Sequence, residues 1–185
     1  MANTRVLFDG IPAPIIYAAK NQVAAVVPYE VAGEESTAVQ VEYNGILSIA
    51  VTVPVVESVP GLITAKSQGT GQAVAKNADG SNNSASNAAA RGTIVTLYAT
   101  GEGQRSPAGV TGVPSAANDA PVLAVSLTVG GVAAPLTYAA SAPGFIGLMQ
   151  IDATLPQSAP TGAAVPLELT VGSAKSPAGV TIAVK

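Results

Sequence analysis

The chain has 185 residues, of which 10% are charged, and a net charge of −3. It contains no Cys and no His, which excludes disulfides, thiolate metal sites and the common triads that rely on an imidazole base. Its eight Lys and Arg are scattered without a basic stripe, and no apolar run approaches the ~20 residues that span a bilayer, so nucleic-acid binding and a membrane span both lack their physical basis.

Nineteen Gly and fourteen Pro punctuate a chain whose apolar residues are mostly Ala and Val. That balance predicts short strands and turns rather than long helices. In chain order, Met1-Ala2-Asn3-Thr4-Arg5 leads without a signal-peptide pattern into a strand at Val6, Leu7 and Phe8. Asp9-Gly10 supplies a turn. Val39-Gln40-Val41-Glu42-Tyr43 alternates apolar and polar, the mark of a half-buried strand. Asn44-Gly45 then predicts a two-residue hairpin to Ile46-Leu47-Ser48-Ile49, because both residues tolerate positive φ. Pro54 and Pro60 resist sheet pairing and set a boundary between a first unit, 1–55, and a second, 56–185. In the second unit, polar residues 77–87 and Gly/Pro/Ser-rich residues 102–121 read as long loops. Alternating segments at 93–98, 125–129 and 165–171 read as strands.

Part of the chain occurs twice. Residues 10–19 return as 131–140, including the pair Tyr17 and Tyr138. Gln22-Val23-Ala24-Ala25-Val26-Val27-Pro28 returns as Gln150-Ile151-Asp152-Ala153-Thr154-Leu155-Pro156, and residues 38–42 match 164–168. Three blocks in one order indicate a duplicated structural unit. The copies differ in one respect: a strand-like opening, residues 92–101, precedes the second and has no equivalent in the first. An incomplete sandwich exposes backbone donors, acceptors and part of its core. The expected assembly edge lies at Val6, Leu7 and Phe8. A hexapeptide, residues 106–111, also recurs at 176–181, and reads as a shared turn signature.

Little in the sequence carries chemistry. Eleven carboxylates are present, most of them in turns or on the polar phase of strands, and none stands out as a member of the facing pair that a glycosidase needs. Asn77, Asp79 and Asn82 are the candidate metal ligands. They hold one carboxylate between them and lack the late bidentate Glu of a strong calcium loop, which favours an Asx-turn reading. Lys76 is the candidate for a covalent Lys–Asn or Lys–Asp crosslink. Gly101-Glu102-Gly103-Gln104 lacks the following helix that a phosphate loop needs. No cofactor and no enzymatic activity are expected.

The order Asp-Gly-Ile-Pro-Ala-Pro, Tyr-Ala, Val-Pro and Asn-Gly, followed by Pro-Gly-Leu-Ile-Thr, Asn-Ala-Asp-Gly-Ser-Asn-Asn-Ser and Arg-Gly-Thr-Ile-Val-Thr-Leu-Tyr-Ala-Thr-Gly-Glu-Gly-Gln, resembles the Solibacter-type uncharacterised C-terminal domain family. The resemblance runs from about Val6 to Val184. Ala88 departs from it, standing where a Pro is expected. The repeated core also resembles, more loosely, IPT/TIG immunoglobulin-like domains. These resemblances imply an extracellular or cell-surface module of a larger secreted protein, without established activity. The expected fold is all-β: two tandem immunoglobulin-like β-sandwich domains, the first lacking an opening strand. The expected role is a structural or assembly module. It would self-associate head to tail by β-strand complementation, or join other parts of a secreted chain. The alternative is a carbohydrate- or surface-binding module with a glycan partner.

Overall fold

The computed structural model describes residues 3–116 and 119–185. Met1 and Ala2 of the predicted first unit, and Ala117 and Asn118 of the predicted loop 102–121, lie outside the described residues. The fold is all-β. The first unit holds β1 (Thr4–Phe8), β2 (Ile11–Pro12), β3 (Ile15–Ala19), β4 (Gln22–Ala25), a 3-10 turn at Tyr29–Val31, β5 (Ser36–Tyr43), β6 (Ile46–Leu47) and β7 (Val51–Pro54). The second holds β8 (Gly61–Leu62), β9 (Gly71–Gln72), β10 (Ala75–Lys76), β11 (Ile94–Thr100), β12 (Arg105–Ser106), β13 (Ala120–Pro121), β14 (Val125–Val129), β15 (Val132–Ala134), β16 (Leu136–Ser141), β17 (Met149–Thr154), β18 (Gly162–Val171), β19 (Ala174–Lys175) and β20 (Val180–Val184).

The second unit is a two-layer immunoglobulin-like sandwich. One sheet runs β10-β11-β17-β16 with β8 beside β11, and the other runs β15-β14-β18-β20-β9 with β19 on β18. Period-two alternation sends one side of each strand inward. Val95, Leu97 and Ala99 of β11 and Ile151 and Ala153 of β17 meet Leu127, Leu169 and Ile182 of the opposite sheet in one continuous core. The predicted loop 102–121 is closed by the β12–β13 pair rather than running free.

The first unit repeats this plan in part. Its sheet runs β2-β1-β5, with β6 and β7 on the far side of β5, and a separate two-stranded β3–β4 hairpin forms its second layer. Its core is small: Val6, Phe8, Ala13 and Val31, joined by partly buried Ile15, Val23, Ala25, Val39, Val41 and Val55. Asn44 and Gly45 have φ of 50° and 79°, the conformation their hairpin demands.

The duplication extends to individual backbone bonds. The Val26 amide donates to the Pro14 carbonyl at 2.9 Å, as the Thr154 amide donates to Pro135 at 2.8 Å. The β3–β4 ladder slips between Ile15 and Tyr17, and the β16–β17 ladder slips at the matching place, between Leu136 and Tyr138. The third matched block needs correction. Ser48 donates its amide to the Val41 carbonyl and accepts the Val41 amide at its Oγ, and Ser176 does both to Leu169. Phe8 pairs with Val39, and its counterpart Val129 pairs with Leu167. Residues 38–42 therefore correspond to 166–170, two positions beyond the sequence match. A slip of two leaves every side chain on its face, so alternation alone did not expose it.

The predicted assembly edge is also corrected. Val6, Leu7 and Phe8 are buried, and β1 lies between β2 and β5. The opening strand of the second unit, β11, pairs with β17 from Ile94 to Ala99. The counterpart of β17 is β4, and among the described residues β4 pairs only with β3. Among the described residues no strand takes the place beside β4 that β11 takes beside β17, and that place lies in the other layer from β1.

Core and open face differ in their sensitivity to substitution. Leu97→Ala, at a fully buried site, is expected to lower the unfolding free energy by about 2–5 kcal/mol in urea denaturation. Val51→Thr, on the exposed face of β7, is expected to change it by less than about 0.5 kcal/mol. Comparable losses for the two would show that the first unit's face is covered.

Candidate functional site

Two places combine exposure or buried polarity with a defined geometry. The first is the open side of the first unit. Val39 and Val41 of β5 face the small core, and Tyr43 continues that face. Ile46 pairs with Tyr43 and Val51 with Val39, so both share it. Tyr43 is 60% exposed, Ile46 75% and Val51 55%. The counterparts of Tyr43 and Val51 are covered: Val171 is fully buried and Val180 is 1% exposed, beneath the sheet that β11 completes. Chemically alike positions differ because one layer is two strands wide and the other is four.

The second is a polar clamp at the junction of the units. Gly101 and Gly103 flank Glu102, both at φ 77°. A Cβ at either would strike the carbonyl of Val59 or Glu57, so only glycine lets the connecting segment lie this close. Ser58 fixes that segment by donating to the Val171 carbonyl at 2.8 Å. The Glu102 side chain is buried, and Ser141 Oγ donates to it at 2.6 Å. Arg105, with 3% of its side chain exposed, donates to Ser115, to Ser141 at 3.0 Å and to Asp119 at 3.3 Å. Its guanidinium lies 5.0 Å from the centre of the Tyr29 ring of the first unit. Gln104 donates to the Tyr29 carbonyl at 3.0 Å, and Thr111 Oγ1 accepts the Tyr29 amide at 2.9 Å and donates to Glu30. Burial raises the Glu102 pKa above the usual carboxylate range, against the lowering effects of Ser141 and Arg105. Glu102, Arg105, Ser115 and Ser141 are all buried. What the clamp does is hold the units together.

Sequence reasoning missed Glu102, Arg105, Ser115, Asp119 and Ser141 as a group, since 39 residues separate Glu102 from Ser141. The available signal was an isolated Glu and Arg in a Gly-rich segment of a chain with few charges. Among the residues that were singled out, Asn77, Asp79 and Asn82 turn their oxygens to their own loop. Asp79 accepts the Ser81 amide and hydroxyl, which lowers its pKa. Asn77 Oδ1 accepts from Asn83, and the Asn82 carbonyl accepts from Asn87. Asn83, buried and overlooked in the sequence, pins this loop by pairing both amide groups with the Ala183 backbone. Lys76 lies on β10 opposite Thr96. Tyr17 is exposed, and Tyr138 donates its hydroxyl to the Ser141 carbonyl at 3.2 Å. Glu42 pairs with Arg5 and Glu168 with Lys175, so the two carboxylates neither correspond nor meet. The recurrent hexapeptide serves two different structures: Thr111 reaches the first unit, whereas Thr181 pairs with Pro166 inside a sheet.

The clamp predicts two responses. Arg105→Ala leaves Glu102 and Asp119 buried or half-buried without their cation and is expected to cost roughly 3–5 kcal/mol, against less than about 1 kcal/mol for Arg5→Ala at its exposed pair. Because the folded chain holds the Glu102 proton to a higher pH than the unfolded chain does, stability is expected to fall as pH rises from the usual carboxylate range through the raised value. Glu102→Gln removes that fall. Urea midpoints measured at steps between pH 4 and 8 for both chains check it. Parallel profiles would mean that Glu102 is not the group responsible.

No family model matches the chain, and no curated protein matches it. Among solved structures, a crystal structure of a tandem from titin is similar to it at 11% sequence identity with a TM-score of 0.27. That match covers 98% of this chain and 55% of the titin chain, so the chain spans about half the length of the structure it matches.

Proposed function

We propose that the chain is a non-enzymatic structural and assembly module working outside the cell or at its surface, joined to its surroundings by β-strand complementation of its first unit. When the neighbour is another copy, head-to-tail joining builds a filament, because a heterologous contact that does not close propagates. The observation that carries this reading is the half-built first unit, whose inner apolar face is open where the second unit's is covered. The sparse charge supports it, since little repulsion opposes contact between copies. The extracellular setting, and attachment to a larger secreted chain, rest on the resemblance to the Solibacter-type C-terminal domain.

A carbohydrate-binding role is the second reading. A shallow depression lined by Asn77, Thr93, Thr96, Tyr98 and Gln150 on the outer face of β11 favours it, with one tyrosine ring beside several amide and hydroxyl groups. A glycan array without hits removes this reading.

Light scattering over a concentration series, with negative-stain microscopy of the same samples, tests the first reading. Mass that grows with concentration into ordered oligomers or filaments is expected. A chain that stays monomeric throughout overturns self-assembly.

A further inference from the structure

We infer that the first unit has a specific acceptor site, the free edge of β4 together with the open face of β5 and β7, and that its occupant is an extended segment from outside this copy of residues 1–185 with the chemistry of β11. The inference takes strand complementation from the reading above but does not depend on copies joining one another.

The duplicated unit supplies the template. β17 and β4 share their pairing, their neighbour's bulge and their flanking bonds, so what sits beside β17 shows what fits beside β4. In the second unit β11 runs antiparallel to β17, with Val95 opposite Ala153, Thr96 opposite Asp152 and Leu97 opposite Ile151. Carried to the first unit, these partners become Ala25, Ala24 and Val23. A bound strand therefore runs antiparallel to β4, in register with residues 22–26.

The backbone is correctly presented. The Val26 amide is turned to β3, where it bonds Pro14, and alternation along a strand turns the neighbouring Ala25 and Val27 groups the other way. Leu155, the counterpart of Val27, shows this arrangement occupied: it donates to the Thr93 carbonyl at 2.9 Å and accepts from the Gly92 amide at 2.8 Å. In the first unit the corresponding groups of Val23, Ala25 and Val27 face outward, with no strand beside them among the described residues.

The side chains set the occupant's chemistry. Val95, Leu97 and Ala99 of β11 are fully buried, whereas Ile94, Thr96 and Tyr98 alternate outward. A strand on β4 would lay its inward residues over β5 and β7, covering the face that exposes Tyr43 and Val51. Val23, Ala24, Ala25, Val26 and Val27 carry no charge, so a matching segment is uncharged and alternates aliphatic with small or hydroxyl-bearing residues. Backbone pairing supplies affinity and the alternate side chains supply selectivity, as in other edge-strand additions.

The test uses the full chain, isotopically labelled, and a synthetic peptide with the sequence of residues 92–101. Saturable amide shifts at residues 21–27 and 51–55 are expected, together with slowed hydrogen exchange at Ala25 and Val27. A Leu97→Asn peptide is expected to bind at least about tenfold more weakly, because it would bury an amide in place of an apolar side chain. Ala25→Pro in the chain removes an edge donor without removing a donor turned to β3 and is expected to abolish the shifts, with the amides of the second-unit core strands unmoved as the control for folding. If that variant disturbs the first unit, the peptide substitution alone decides. No binding, binding elsewhere, or equal binding of both peptides overturns the site. A chain that stays monomeric yet binds the peptide keeps the site and removes self-assembly. Oligomers that persist under excess peptide and in Ala25→Pro overturn the site and leave the assembly reading in place.

Discussion

A β-strand needs partners on both sides for its backbone groups and a second layer for one of its faces. A single pairing, β11 on β17, meets both needs for one unit and has no equivalent among the described residues of the other. With β11 present, the four-stranded layer covers β20, and Val180, Ile182 and Val184 disappear into the core. Without it, the layer stops at β4, and the strand corresponding to β20 is left with an exposed valine at Val51. The sequences of the two units differ little in these strands. Burial is decided by what lies across from them, since a strand cannot bury a face that has nothing opposite it.

The clamp gives this asymmetry a fixed setting. A lone half-sandwich with so small a core would be marginal, because short units bury too little surface to offset chain entropy. Tyr29 and Glu30 are instead tied to Gln104, Arg105 and Thr111, and the connecting segment is pinned by Ser58 and by the two glycines around Glu102. These contacts stabilise the first unit from its 3-10 turn, and Gly147 of the second unit packs against the Val26 side chain at the end of β4. The second unit thus holds up the first while Tyr43, Ile46 and Val51 stay exposed.

Much of the fold was legible in the sequence, and the limits have physical causes. The Asn44-Gly45 hairpin, the alternating strands and the duplication each depend on local chemistry: positive φ, period two and repeated residues. The missing opening strand followed from comparing the copies. Its location did not, because neighbours in sequence need not be neighbours in a sheet. Val6, Leu7 and Phe8 begin the unit, yet the absent strand's partner is β4. The alignment of residues 38–42 slipped by two because period-two patterning repeats itself at that interval. The clamp was invisible because Glu102, Ser115, Asp119 and Ser141 converge on Arg105 only through the β12–β13 closure and the end of β16.

The distribution of edge protection separates β4 from the other borders of these sheets. Natural sheets guard edges with proline, lysine, bulges or very short strands. Here β2 ends in Pro12 and β7 in Pro54, β15 is followed by Pro135, and β3 and β16 carry bulges. Strands β8, β9 and β10 are two residues each. Strand β4 has none of these devices: Lys20 precedes it and Pro28 follows it, with Val23, Ala24, Ala25, Val26 and Val27 uninterrupted between them. An edge left open by accident in a chain this poor in charge is an aggregation hazard, and a single Lys or Pro at Ala25 would close it. That the other borders are protected and this one is not fits an edge kept free for a strand to occupy.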